Sequence, residues 1–380
     1  MSKHQVLPCA VVALGAALAL TMSAAPAKDR PAPPAYVYSD AHFHLTNYVQ
    51  EGTDIKDYVK MMGGVVKRST VFGLPLQQMW QYGNTGDFAP YYYLQTDAPL
   101  YYYSFTDAAI AMGYRSLTPE QQARLDPMIT GFNPADMYAA DHVRRVLLTF
   151  PGVFSGIGEF SIHKEFVSAK IAGGPATLGD PALHRLLDFA GEAGLVAILH
   201  NDIDMPFPKP DQEPYSLIQM KELLLKHPQT TIIWAHAGVG RIVRPVEGQA
   251  DILERALSNP ALNHVYIDIS WDETAKYITS SPESIKRVAA LINAHPDRFL
   301  FGTDVVAPKS IDSPMAVYKA YDSLWQELTP EARQAVLFGN YERLFDAARV
   351  KVRAWEKANL GKPRPVTPQT PASGYKPPVE

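Results

Sequence analysis

Two histidines set two apart, in Asp40-Ala-His42-Phe-His44, are the first residues of this chain whose type and spacing can do chemistry. On a strand, alternate side chains share a face, so both imidazoles would point one way, about 7 Å apart along the backbone, and could converge on one cation. Two surface histidines near a chain terminus are the plainer alternative. Further ionisable residues close later apolar runs: Glu159 in Gly156-Ile-Gly-Glu159, His200 in Ala197-Ile-Leu-His200, His236 in Ile233-Trp-Ala-His236, and Asp304 in Leu300-Phe-Gly-Thr-Asp304. Singly, each has a bland reading, since a buried His is commonly hydrogen-bonded structure and an Asp after a strand is commonly a helix N-cap. Buried together around one cavity without a cation, they would be costly. As nitrogen and oxygen donors they suit Zn2+ foremost, with Mn2+ and Fe2+ as alternatives, and the spacing leaves open whether one ion or two is held. Such an ion lowers the pKa of bound water to about 7 and polarises a carbonyl.

Residues of this kind act only if strand ends bring them together. Between positions 36 and 360, apolar runs alternate with amphipathic stretches, the pattern of a parallel α/β architecture. Strands are expected at 36–44, 65–72, 127–132, 153–160, 195–200, 230–236, 265–269 and 299–304, with helices following each. Eight such units predict a single-domain (β/α)8 TIM barrel, whose functional groups lie at the strand C-termini. A doubly wound sheet is disfavoured because no Gly-rich turn follows the first strand.

Composition narrows the possibilities. Of 380 residues, 47% are hydrophobic and 19% charged, enough for one large core. A net charge of -4 and a pI near 6.3 give no electrostatic footprint for nucleic acid, and no Lys/Arg run suggests an acidic membrane surface. The expected partner is a small-molecule substrate, with a homo-oligomer left open. Leu7 to Met22 is almost wholly apolar and is followed by Ala25-Pro-Ala27, the layout of a cleaved signal peptide over 1–27, and shorter than the roughly 20 residues of a membrane span. Secretion is therefore expected, into the periplasm if the source is Gram-negative. The sole cysteine, Cys9, lies in that segment, so a thiolate ligand or disulfide is excluded after cleavage. Residues 28–35 read as a linker, and 361–380, with six prolines, as a disordered tail.

On these residues the chain resembles the amidohydrolase superfamily, and within it the amidohydrolase-2 group. The H-x-H of the first strand, the single histidines closing the fifth and sixth, and Phe301-Gly-Thr-Asp304 carry the resemblance, and Gly339-Asn340-Tyr-Glu-Arg343-Leu-Phe345 is similar to the family's closing helix. The resemblance implies that His42, His44, His200 and Asp304 are metal ligands. It gives His236 either a second metal or an acid/base role. Glu159 stands where other branches carry a bridging carboxylated Lys or a Glu, and is expected to bridge two metals, ligate one, or bond to substrate. Lys164 reads as an ordinary loop residue. Arg241 is placed to receive an anionic substrate group, or is simply a loop arginine. Asp202, Asp204, Trp271 and Asp272 follow strand ends and could line the pocket. The Tyr-rich stretch Tyr82 to Tyr103 suits pocket lining, sealing of the mouth, or a dimer contact.

Two activities fit this set. The first is hydrolysis of an ester, lactone or amide-type C–O or C–N bond, with Asp304 as the base and His236 assisting. The second is metal-dependent, non-oxidative decarboxylation of an aromatic or dienoic acid. The extra carboxylate of Glu159 favours the first, because it would attract a second cation and repel an anionic substrate.

Overall fold

A computed structural model describes residues 36–46, 52–74, 105–164, 175–204, 212–240 and 244–362. Its strands are β1 (Tyr38–Asp40), β2 (Phe43–His44), β3 (Val66–Val71), β4 (Leu125–Ile129), β5 (Gly156–His163), β6 (Val196–Asn201), β7 (Ile232–Trp234), β8 (Val265–Asp268), β9 (Phe299–Leu300) and β10 (Val305–Val306). Buried along their whole length, runs such as Val-Ala-Ile-Leu in β6 and Ile-Ile-Trp in β7 suit strands covered on both faces. The intervening helices begin at side-chain caps that satisfy their first free N–H groups. Asp54 caps Ile55–Met62, Asp180 caps Pro181–Ala193 and Ser281 caps Pro282–Ala294, the last two with proline in the first turn.

Eight strands form one curled parallel sheet in the order β1-β3-β4-β5-β6-β7-β8-β9, an α/β fold of the TIM-barrel type. The two edges of this sheet meet at the strand C-termini. There β2 pairs with β10, Val305 opposite Phe43, while Ala41 N–H donates to the Phe301 carbonyl (3.0 Å) and Asp304 N–H to the His42 carbonyl (2.7 Å). On its other side the same short segment is bonded to the end of β3 through Leu45 N–H and the Phe72 carbonyl (2.9 Å). The backbone carrying His42 and His44 is thus fixed from both sides.

Inside the sheet, Phe72, Met128, Ile198, Ile233 and Leu300 form a buried apolar layer with Tyr341 and Phe345 of the helix Asn340–Asn359. That helix is longer than the closing stretch expected from sequence. It is tied down by the buried Asp126 carboxylate, which accepts from Arg68 Nη2 (2.9 Å), Arg349 Nε (2.6 Å) and Tyr341 Oη (2.8 Å). A buried carboxylate with this many charged and hydroxyl donors is fully compensated, which is the condition for keeping it there. Among the described residues, no helix is long and apolar enough to cross a membrane. The expected signal peptide and linker lie outside the described residues, as does the tail from 363 on.

Four expected boundaries are corrected. The strand expected to end at Glu159 continues as β5 to His163, so Glu159 sits inside it. Its side chain still reaches the cavity because the register with β6 slips between Ile157 and Phe160. Gly158, at φ +110, lies against the β6 backbone, and a Cβ there would run into the Ile198 carbonyl oxygen. His42 falls in a break between β1 and β2. His236 and Asp304 stand beyond β7 and β9, both with left-handed backbones (φ 56 and 52), rather than at strand ends. A side chain at Gly158 must therefore push β5 from β6 and carry Glu159 with it. We expect Gly158→Ala to lose about 1–3 kcal/mol in urea unfolding, and an unchanged midpoint would remove this account of how Glu159 is aimed.

Candidate metal centre

His42, Glu159, His236 and Asp304 each offer one atom to a common point, and these four atoms lie within 4.8 Å of one another. They arrive from opposite parts of the sheet: the break after β1, the irregular middle of β5, and the left-handed turns after β7 and β9. His42 Nε2 is 3.3 Å from Asp304 Oδ1 and 3.7 Å from Glu159 Oε2, and His236 Nε2 is 3.5 Å from Glu159 Oε1 and 3.8 Å from Asp304 Oδ2. Donors held about 2.1 Å from one tetrahedral cation are about 3.4 Å apart, and these contacts of 3.3 to 3.8 Å are close to that. Among the described residues this is the one group of its kind.

Hydrogen bonding around the cluster settles which nitrogens face inward. His42 Nδ1 lies 2.6 Å from Asp268 Oδ2, and His44 Nδ1 lies 2.8 Å from the Gly73 carbonyl, so both Nδ1 atoms donate to acceptor-only groups. Ser270 gives its hydroxyl proton to Asp268 (2.8 Å), leaving its oxygen to accept from His236 Nδ1 (3.0 Å). All three rings therefore carry a proton on Nδ1 and turn Nε2 to the centre. This outer support is what metal-binding histidines require. Facing inward, His42 Nε2, His236 Nε2 and Glu159 Oε2 are buried with no hydrogen-bond partner. Orphaned atoms of this sort are rare and costly unless something answers them. Nitrogen lone pairs and carboxylate oxygens converging on one point fit a divalent cation, and no neutral donor would serve all of them.

His44 and His200 differ from the group of four. His44 Nε2 is hydrogen-bonded to Asp304 Oδ1 (2.9 Å) and 3.6 Å from Glu159 Oε2, at the edge of the centre, so that both its nitrogens are engaged in this arrangement. His200 has both nitrogens engaged by carboxylates, Nδ1 with Glu159 Oε1 (2.6 Å) and Nε2 with Asp202 Oδ1 (2.7 Å). Two acceptors require two ring protons, so His200 is held as an imidazolium in this arrangement.

Charge within the cluster follows from the same contacts. Burial pushes the Glu159 carboxyl up, but Lys164, His200 and His236 outweigh it and hold it well below the usual range. Burial likewise opposes ionisation of Asp304, yet His42, His236 and His44 keep it below its ordinary value. For His42, burial lowers basicity and the carboxylates of Asp304, Asp268 and Glu159 reverse it, raising the ring well above normal. His236 moves the other way, because burial, aided by His200 and His42, prevails over Asp304 and Glu159. Both carboxylates are thus anionic and His236 is readily neutral, as ligation demands, whereas His42 would have to give up its Nε2 proton to an ion.

Several residues here escaped the sequence reading. Asp268 closes its apolar run in Val265-Tyr-Ile-Asp268 just as the others do, so the same rule would have found it. Lys164, expected in an ordinary loop, is buried with Nζ 3.3 Å from Glu159 Oε1, which corrects that expectation. Asp202 is fully buried, while Asp204 lies part-buried against His163 (3.0 Å). The Trp271 ring packs 5.1 Å from His236. Arg241 and the Tyr-rich stretch 82–103 lie outside the described residues.

Fold and centre together are those of an α/β chain of the TIM-barrel type with a candidate divalent-metal site at its strand C-termini. A family model described as amidohydrolase matches residues 39–347, and the chain belongs to that family. Solved structures with a similar course include a Pseudomonas putida protein assigned as a 2-pyrone-4,6-dicarboxylic acid hydrolase (15% identity, 82% of this chain and 98% of that one, TM-score 0.49). Others are an amidohydrolase from Burkholderia multivorans with bound zinc (13%, 82% and 99%, 0.46) and a dihydroorotase from Campylobacter jejuni (12%, 81% and 83%, 0.45). No curated protein matches the chain in sequence.

The Asp268–His42 bond carries a prediction. Asp268→Asn should weaken divalent-ion binding about 10–100-fold by titration calorimetry. Unchanged affinity would mean that His42 is not a ligand oriented from outside.

Proposed function

We propose that this protein is a hydrolase in which a divalent ion, Zn2+ foremost, is held by His42, His44, Glu159, His236 and Asp304 at the mouth of a closed (β/α)8 barrel. Its reaction is cleavage of an ester, lactone or amide-type bond of a small molecule by activated water. The observation that carries this reading is the convergence of three orphaned buried atoms, His42 Nε2, His236 Nε2 and Glu159 Oε2, on one point beside Asp304. His200, with both nitrogens committed, supports the centre from behind Glu159 instead of ligating in this arrangement.

When bound, the ion lowers the pKa of water to about 7 and polarises the attacked carbonyl. The protein's own groups then handle protons and geometry. Asp304 is the natural base: its side chain is 7% exposed where those of Glu159, His42 and His236 are fully buried, so it alone of the four opens towards incoming substrate. It is anionic, as a base must be, and its Oδ2 can take the proton of the attacking water and return it to the leaving group. His236, kept neutral by burial and steadied by Ser270 at Nδ1, offers its Nε2 lone pair to the ion. The Trp271 indole beside it adds an apolar wall. An anionic Asp304 at the entrance disfavours docking of a substrate carboxylate against the centre, which supports hydrolysis over decarboxylation.

Secretion of the mature enzyme is part of this reading and rests on the apolar run Leu7 to Met22 with its Ala25-Pro-Ala27 site. A small-molecule substrate follows from a net charge of -4 without basic patches.

Zinc-reconstituted protein should hydrolyse members of a panel of lactones, esters and amides. Asp304→Asn should lower kcat about 100- to 10,000-fold on any substrate found. Carbon dioxide release from carboxylated phenols, with no hydrolysis of the panel, would replace this function by the lyase alternative.

A further inference from the structure

The two oxygens of Glu159 live in different surroundings. Oε2 faces the imidazole nitrogens of His42 and His44, at 3.7 and 3.6 Å, on the side where the four donor atoms converge. Oε1 lies 3.5 Å from His236 Nε2 and otherwise faces away from that side. There it meets the Lys164 ammonium at 3.3 Å and His200 Nδ1 at 2.6 Å, and the second nitrogen of His200 is bonded to Asp202. Lys164 is buried, only 9% of its side chain being exposed, and its ammonium lies 5.7 Å from the centre of the Trp271 ring. A buried ammonium is expensive to keep unless it is paired, and an aromatic face adds to its stabilisation.

We infer that Lys164 supplies, as a fixed ammonium on Glu159 Oε1, the positive charge that a second metal ion would otherwise bring, so that the centre accepts one divalent ion and not two. This rests on the reading of the cluster as a metal site, and says which of its two sides is open to an ion. A cation beside Oε1 would stand against the ammonium within a few ångströms, where like charges in a poorly solvated interior repel strongly. Without Lys164 the same place has the makings of an ion site. Glu159 Oε1, with His200 Nδ1 at 2.6 Å and His236 Nε2 at 3.5 Å from it, would line it, while Asp202 holds the far nitrogen of His200. Lys164 is thus a positioning residue: it orients Glu159 with Oε2 towards the first ion and sets the metal count.

The test uses Zn2+ alone on full-length chain stripped with chelator, read by bound metal after equilibrium dialysis and by titration calorimetry. Wild type should take up one ion per chain. Lys164→Met should take up two, the second at Zn2+ concentrations where wild type shows nothing, while Lys164→Arg, which keeps the charge, should stay at one. Two ions on wild type, or one on a folded Lys164→Met, would overturn the inference while leaving the metal reading intact. Should Lys164→Met fail to fold, the wild-type count and the polar variant Lys164→Gln, expected to bind two, decide the same question. No ion on wild type would instead overturn the metal reading itself, and this inference with it.

Discussion

Everything at the mouth of this sheet depends on imidazoles and carboxylates being packed into one buried cluster that leaves His42 Nε2, His236 Nε2 and Glu159 Oε2 without a hydrogen-bond partner. Asp268, Ser270 and Gly73 take the Nδ1 protons of His42, His236 and His44, and so turn each Nε2 inward. Glu159 and Asp304 are anionic for reasons internal to the cluster. Such an arrangement is unstable in a buried site unless a cation draws the donors together. Protonating one ring would relieve part of the repulsion, but it would leave the others unanswered.

That constraint explains why the backbone is irregular where the donors sit. His236 and Asp304 take left-handed conformations that non-glycine residues rarely adopt, and Gly158 takes one that only glycine tolerates against the Ile198 carbonyl. Each costs of order 1–3 kcal/mol and persists only where surrounding structure overdetermines it. Here the overdetermination is visible. The bonds Asp304 N–H to the His42 carbonyl and Ala41 N–H to the Phe301 carbonyl stitch the sheet's first and last strands together directly under the site. The opposite end is closed by Asn340–Asn359 and the Asp126 network, so the apolar layer between is packed and the mouth is left for chemistry.

Much of this was legible in the sequence, for a physical reason. With the only cysteine in the N-terminal segment, a metal has only imidazoles and carboxylates to choose from, and in a parallel α/β sheet those residues must stand after apolar runs. His42, His44, Glu159, His236 and Asp304 satisfy both conditions and the structure gathers them. His200 was legible as a neighbour of the centre but not in its bonding, because nothing in the chain signals that Asp202 is buried and takes its second nitrogen. Lys164 was misjudged as a loop residue for a similar cause. The continuation of β5 past Glu159 depends on a register slip at Gly158, and hydrophobic pattern cannot report a slip. Strand ends were placed too late at β7 and β9, since a left-handed residue after a strand leaves no compositional mark unless it is glycine.

The account stands or falls on whether one ion is bound by the donors named. Crystals grown with Zn2+ and measured at the zinc absorption edge test this directly. The account predicts one anomalous peak, about 2.0–2.2 Å from donors drawn from His42 Nε2, His44 Nε2, His236 Nε2 and a carboxylate oxygen each of Glu159 and Asp304. A peak held by other residues, or none with these side chains still converging, would contradict it.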